Sequence, residues 1–420
     1  MHDIVVFGAT SFVGQILAHR MLEEFGVGGA GGAGGSAGQG GALRWAIAGR
    51  SRAKLDELKA ALGPAAAALP AIVADAADED AMRSMCREAR VVVSTVGPYA
   101  LYGEPLVKAC VETGTDYCDL TGEVQWIRRM VTRHEAAAEA SGARIVHCCG
   151  FDSIPSDLGV HVLQREAQRR FGAPLTRIRL RVKAMRGGAS GGTVASLINV
   201  LKEVGRDKSL RAELANPYSL CVGGDAPTTR QPNVAGAVHD EAFGSWVAPF
   251  VMAGINTRVV HRSNALTGWR YSREFRYDEA VLMGRGLRGR LAALGTAVGL
   301  GGFMVAASIG PLRSLLERFV LPKPGEGPSP EAQRTGFFDL RLHGVTADGT
   351  TLRAKVTGDR DPGYGSTARM LLQAAACLAT DTPKNVLPGG FWTPATALGD
   401  RLVERLEARA GLAFKVEEGA

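Results

Sequence analysis

The chain has 420 residues and a mass of 44.2 kDa, enough for two domains and a full hydrophobic core. With 46% hydrophobic and 22% charged residues it is neither a disordered chain, a coiled coil nor a polytopic membrane protein. A net charge of +7 is mild at this length, and with no Lys/Arg block or zinc-finger pattern no nucleic-acid partner is expected. The seven cysteines are odd in number and form no CxxC pair, so neither a disulfide framework nor a metal site is expected. The first residues lead straight into a strand rather than a signal peptide. The expected setting is cytoplasmic, with peripheral membrane association as an alternative.

The first half of the chain alternates strand and helix. Ile4 to Phe7 reads as a strand, and Phe12 to Phe25 as a helix with Val13, Ile16, Leu17, Met21 and Leu22 at helical spacing. Residues 26–41 are almost wholly Gly, Ala, Ser and Gln, and are expected to be a flexible surface insertion. Leu43 to Ala48 is a second strand, Arg52 to Leu62 a helix and Ala71 to Ala74 a third strand. Val91 to Thr95 is a fourth strand, Leu106 to Glu112 lies in a helix, and Tyr117 and Cys118 belong to a fifth strand. A helix over 124–140 leads to a sixth strand, Arg144 to Cys148. Short apolar strands alternating with helices predict a parallel, doubly wound α/β sheet over residues 1–155.

The pattern then changes. Leu175 to Met185 alternates, Gly191 to Val204 is helical, and residues 206–245 read as irregular. Phe275 to Leu282, Phe337 to Val345 and Thr351 to Thr357 read as strands, the last two flanking the hairpin signal Asp348-Gly349. Clustered strands predict an α+β domain with a mainly antiparallel sheet over 156–360. Helices at 366–380 and 395–410 fill the remaining segment, 361–420, and are expected to return to the first domain. Arg290 and Arg313 bracket 22 residues without a charge, including five glycines and a proline. That stretch reads as a buried helix or pocket wall, with a peripheral membrane contact and a bilayer span as its alternatives.

The chemistry gathers at the ends of the early strands. Gly8-Ala9-Thr10-Ser11-Phe12-Val13-Gly14 follows the first strand as a dinucleotide loop does: a tight turn, small residues near the pyrophosphate, and a glycine for close helix packing. Ser11 stands where the middle glycine is usual, and its hydroxyl is a candidate phosphate ligand. Arg50, Ser51 and Arg52 end the second strand where an NAD site usually has an acid, so NADP(H) is the expected cofactor. Asp75 is placed either for the adenine edge or as a helix N-cap, and Thr95, Val96, Gly97 and Pro98 for the nicotinamide ribose. Tyr99 is the expected proton donor, with Asp152 as orienting group and Asp119 on the same edge. Ser156 and Asp157 are alternative caps for the next helix.

The stretches GATSFVG, AGRS, STVGPYALYGEPLVKAC, GTDYCDLTGE and GFDSIPSDLG together resemble the saccharopine dehydrogenase-like oxidoreductases, most closely their trans-acting enoyl reductase branch. Gly358 to Gly365 and Thr393-Pro394-Ala395 look like the same family. The resemblance implies a Rossmann NADP-binding domain, a second α/β domain and a lipid-making polyketide synthase or acyl carrier as partner. The leading expectation is an NADPH-dependent reductase of an apolar enoyl-thioester or lipid-like substrate. The alternatives are imine chemistry like that of saccharopine reductase, and a non-catalytic NADP(H)-binding, lipid-associated protein.

Overall fold

A computed structural model describes residues 1–28, 43–188, 191–223, 226–319 and 327–417. Most of the glycine-rich insertion lies outside these residues. The strands are β1 His2–Phe7, β2 Trp45–Gly49, β3 Ala71–Val73, β4 Ala89–Ser94, β5 Asp116–Asp119, β6 Arg144–Val146, β7 Leu175–Arg186, β8 Val238–Asp240, β9 Ser245–Pro249, β10 Arg276–Gly284, β11 Phe337–Thr346, β12 Thr351–Gly358, β13 Gly390–Trp392 and β14 Leu412–Val416. The helices are α1 Phe12–Phe25, α2 Arg52–Leu62, α3 Glu79–Arg87, α4 Tyr99–Tyr102, α5 Glu104–Thr113, α6 Val124–Ser141, α7 Ile154–Phe171, α8 Gly191–Arg206, α9 Ser209–Ala215, α10 Ala253–Leu266, α11 Gly286–Ser308, α12 Gly310–Phe319, α13 Pro330–Thr335, α14 Thr367–Thr380, α15 Pro394–Ala397 and α16 Gly399–Arg409.

The first sheet is parallel, in the order β13-β6-β5-β4-β1-β2-β3. Its central strands are apolar on both faces because helices cover both. Ile4 and Val6 pack with Leu17, Leu55 and Leu371 of α1, α2 and α14. Val5 and Phe7 pack with Met82, Val107 and Ile127 of α3, α5 and α6. The chain order reverses between β1 and β4, and at such a switch point the strand ends open a crevice.

The second sheet runs β14-β12-β11-β7-β10-β9-β8, antiparallel except for the β7–β10 pair. Ile178, Leu180, Leu342 and Val356 face Leu158 and Leu163 of α7. Helix and sheet meet at Gly159, where a Cβ would lie 3.1 Å from Val356 Cγ2. The opposite face is charged, with Arg181 buried between Asp240 (2.7 Å) and Asp278 (2.6 Å).

The structure contains elements that the sequence reading lacks, among them α9, β8, β9 and α10 within and after the stretch read as irregular. α10 escaped because its buried face is polar. Asn256, His261, Arg262, Ser263 and Asn264 are all buried, and Arg262 binds the carbonyls of Leu220 and Phe391 at 2.7 Å. β8 and β13 have three residues each, too few for a period to register. The segment beyond 361 is more than helices: β13 joins the first sheet beside β6, and β14 joins the second beside β12.

The uncharged stretch is neither a buried helix nor a pocket wall. It forms most of α11 and the start of α12, and in α11 only Gly289, Ala293 and Ala307 are buried. α11 packs on β9, β10 and α8 and leaves Leu287, Leu291, Leu294, Val298 and Val305 exposed.

Candidate active site

The glycine loop is built as its sequence spacing requires. Gly8 turns at φ +81°, a conformation that excludes a side chain without strain. Gly14 brings α1 onto the loop, and a Cβ there would lie 2.2 Å from the Gly8 carbonyl oxygen. The N–H groups of Phe12 and Val13, in the first turn of α1, have no acceptor within the helix and face the loop's mouth as an anion site. Ser11 serves the loop rather than a phosphate. Its Oγ accepts from the Gly14 N–H at 3.0 Å and pairs with Thr95 Oγ1 at 2.9 Å. Thr95 in turn donates to the Gly8 carbonyl at 2.9 Å, so the Ser11 hydroxyl hydrogen is directed at Thr95. The serine that replaces the middle glycine thus fastens the loop after β1 to the turn after β4.

Beyond β2, Ser51 caps α2 by accepting from the Lys54 N–H at 3.4 Å. Arg50 and Arg52 are both exposed. Among the described residues neither forms an ion pair, and Arg52 reaches only the Ala71 carbonyl, at 3.5 Å. Two guanidiniums without carboxylates at a helix N-terminus are an unfavourable placement unless an anion completes it, as a 2′-phosphate would. Asp75 is exposed and turns on itself, accepting from the Ala77 N–H at 3.0 Å, while the cap of α3 is Asp78.

Val96, Gly97 and Pro98 form the turn after β4, with the Gly97–Pro98 peptide cis. Glu123, which sequence reasoning left unassigned, holds this turn from below. Its carboxylate accepts from the N–H groups of Tyr99 (2.8 Å) and Ala100 (2.9 Å) and from Ser196 Oγ of α8 (2.8 Å). Burial pushes its pKa up. The signal was present in the LTGE stretch, but Ser196 lies more than seventy residues further on, and no local pattern joins the two.

Tyr99 is a strut rather than a proton donor. Its hydroxyl donates to the Ser94 carbonyl at 3.0 Å and accepts from the Leu120 N–H at 3.2 Å, so both functions are engaged between the ends of β4 and β5. The ring lies buried against Trp126 at 5.4 Å, and burial pushes the phenol well above its ordinary pKa. Asp119 is likewise occupied. It accepts from the N–H groups of Thr121 and Cys148 at 3.1 Å and meets His147 Nδ1 at 2.7 Å, with no exposed surface. Neither Ser156 nor Asp157 caps α7, since both lie within its first turn. Asp157 binds Ser263 Oγ at 2.5 Å and the Ala395 N–H at 2.8 Å.

Asp152 differs from these. Among the described residues no neighbouring group hydrogen-bonds its carboxyl, which leans only on its own backbone N–H. A Cβ on Gly150 would meet Leu120 Cδ2 at 2.7 Å and both Asp152 Oδ2 and Thr367 Cγ2 at 2.9 Å, so these three side chains surround one point. Phe151 packs obliquely against Phe338 at 5.0 Å. Burial, together with the negative charge of Asp119, raises the Asp152 pKa to about 7. Thr367 opens α14 and accepts from the Phe151 N–H at 3.0 Å, and Tyr364 just before it meets Phe12 edge-on at 5.1 Å. The turn before α14 therefore closes over the start of α1.

The cradle, the two arginines and the unpartnered carboxyl fit a bound NADP(H), and the protein is an NADP-dependent oxidoreductase. The saccharopine dehydrogenase NADP-binding domain matches residues 4–146. A Mycobacterium tuberculosis protein named as a trans-acting enoyl reductase is 40% identical over 98% of this chain and 97% of its own length. The trans-acting enoyl reductase of Mycobacterium leprae is 38% identical over 96% of this chain and 95% of its own. The chain belongs to the saccharopine dehydrogenase-like oxidoreductases, in their trans-acting enoyl reductase branch. Among solved structures, the fold is shared with saccharopine dehydrogenase (L-Glu forming) from Saccharomyces cerevisiae, at TM-score 0.53 and 13% identity over the whole of both chains. It is shared also with homospermidine synthase from Legionella pneumophila, at TM-score 0.52 and 9% identity over 100% of this chain and 91% of that one.

Proposed function

We propose that this reductase acts on the carbon–carbon double bond of an enoyl thioester carried by a partner synthase or acyl carrier, with Asp152 as the proton donor. NADPH supplies the hydride, which goes to the β-carbon. Asp152, which holds its proton in about half of the molecules at neutral pH, gives that proton to the α-carbon and recovers one from water. The observation that carries this reading is a carboxyl near pKa 7 with no neighbouring partner among the described residues, beside Leu120 and Thr367 at the carboxyl edge of the first sheet. The charge felt at Asp152 is that of Asp119, so an anionic amino-acid substrate would be repelled there and a neutral thioester would not. The names of the mycobacterial relatives support the same substrate class.

The test is NADPH oxidation against enoyl thioesters of increasing chain length, on coenzyme A and on a carrier protein, with imines and ketones alongside. The expected result is turnover of enoyl thioesters, with kcat falling above about pH 7 and dropping by about 10²–10⁴ in Asp152→Asn. Turnover of imines alone would overturn the substrate, and an Asp152→Asn variant of unchanged kcat would overturn the donor.

A further inference from the structure

α11 is apolar on its outer side as well as its inner one. Its outward stripe is Leu287, Leu291, Leu294, Val298 and Val305, spaced four, three, four and seven residues apart, and it continues into Leu312, Leu315 and Phe319. Leu287 is 70% exposed, Val298 72% and Phe319 70%. Its fully buried residues are Gly289, Ala293 and Ala307, and Gly289 sits so close to the end of β10 that a Cβ would lie 2.2 Å from the Gly284 carbonyl oxygen. A surface helix normally shows polar residues to solvent, and a continuous exposed apolar stripe marks an interaction surface.

The charges around the stripe are of one sign. Between Ala280 and Leu316 there are four arginines, Arg285, Arg288, Arg290 and Arg313, and no acid. Among the described residues none of the four forms an ion pair, and Arg290 lies over the Trp246 ring at 5.4 Å. Glu317, the next acid, is held by Lys202 of α8 at 3.5 Å. We propose that α11 and α12 dock the protein on an anionic lipid surface, the leucines and valines entering the acyl boundary and the arginines meeting head-group phosphates. The helix lies along the surface rather than crossing it, because β9, β10 and α8 hold its inner face. Two copies pairing through the same stripe would bring arginine rims together, which disfavours a self-interface.

The location carries a consequence for access. α11 packs on α8, and α8 carries Ser196, whose hydroxyl binds Glu123 beneath the turn at Gly97. Docking therefore sets the crevice one helix away from the lipid. This proposal does not depend on which substrate is reduced.

The experiment is co-sedimentation of the full chain with phosphatidylcholine vesicles, with and without phosphatidylglycerol, alongside sedimentation velocity without lipid. The expected result is binding that requires phosphatidylglycerol and weakens with salt. Val298→Asp should reduce it about tenfold or more and Arg288→Ala about fivefold, with NADPH affinity unchanged in both. Both side chains point outward, so folding is not at stake, and NADPH binding verifies it. No partition onto anionic vesicles would overturn the proposal. So would a concentration-dependent dimer that Val298→Asp abolishes without any lipid binding, because the occupant would then be a second copy.

Discussion

Arg50 follows β2 with its guanidinium in solvent, free of any ion pair among the described residues, and that isolation makes it measurable. Its charge-assisted bonds to a 2′-phosphate should favour NADPH over NADH, and Arg50→Ala should cost about 1.5–3 kcal/mol of NADPH binding while leaving NADH nearly unchanged. Calorimetric titration with both nucleotides checks this, and equal losses for the two would contradict it. Asp152 carries a second prediction, read in stability rather than rate. Its carboxyl titrates near 3.8 in the unfolded chain and near 7 in the folded one. Below about pH 4 both states hold the proton and the group is neutral to stability. As pH rises towards 7 the unfolded chain releases its proton first, so the folded state is progressively penalised, and above 7 the penalty is complete. Asp152→Asn should therefore be more stable than wild type by on the order of 2 kcal/mol above pH 7, with the gain vanishing near pH 4. Urea melts across that range decide it, and a gain independent of pH would reject the assigned pKa.

At the level of elements, α1 and α2 begin and end where the sequence places them, because each has a serine cap, a following glycine and a clean apolar face. The glycine loop was legible for the same reason: its function depends on consecutive residues. The roles of Tyr99 and Asp119 were not legible, because both lie on the expected sheet edge but their partners come from other strands. α10 hid behind a buried polar face, and β13 behind its brevity. The contact of α1 with its loop gives the element-scale prediction. Gly14→Ala forces a methyl group towards the Gly8 carbonyl, so α1 must move away from β1. Such overpacking costs about 1–3 kcal/mol, and here it also displaces the first-turn N–H groups of α1. The expected outcome is a lower Tm together with weaker binding of NADPH and NADH alike. Unchanged affinity for both would show that the helix start is not where the phosphates bind.

For the whole molecule, the two sheets share one continuous apolar core that runs from Leu17 and Ile47 through α7 and α14 to Leu342 and Phe414. Arg144 ties α14 to the first sheet, its guanidinium bound to Asp116 and to the carbonyl of Leu378 at 3.0 Å. β14 completes the second sheet, with Leu412 and Phe414 buried. Removing residues 412–420 should destabilise the entire protein by about 4 kcal/mol or more, since two large apolar side chains and one edge of the sheet are lost together. Thermal unfolding should then remain a single transition at a lower temperature. A truncated form with one melting step for each sheet would instead show that the two are only loosely coupled.

Because β13 and β14 both come from the last stretch of chain, a ribosome making this protein has nearly finished before either sheet can be completed. The nucleotide-binding half cannot close its edge when its first 150 residues emerge, and β6 waits bare for Gly390 to Trp392. Nascent chains would therefore carry the bare edge of β6 from Val146 until Gly390 is made, and that of β12 from Gly358 until Leu412 is made. A stalled or prematurely released chain is then a substrate for chaperones and proteases rather than a half-working enzyme, and a fusion partner is better attached ahead of His2 than directly behind Val416.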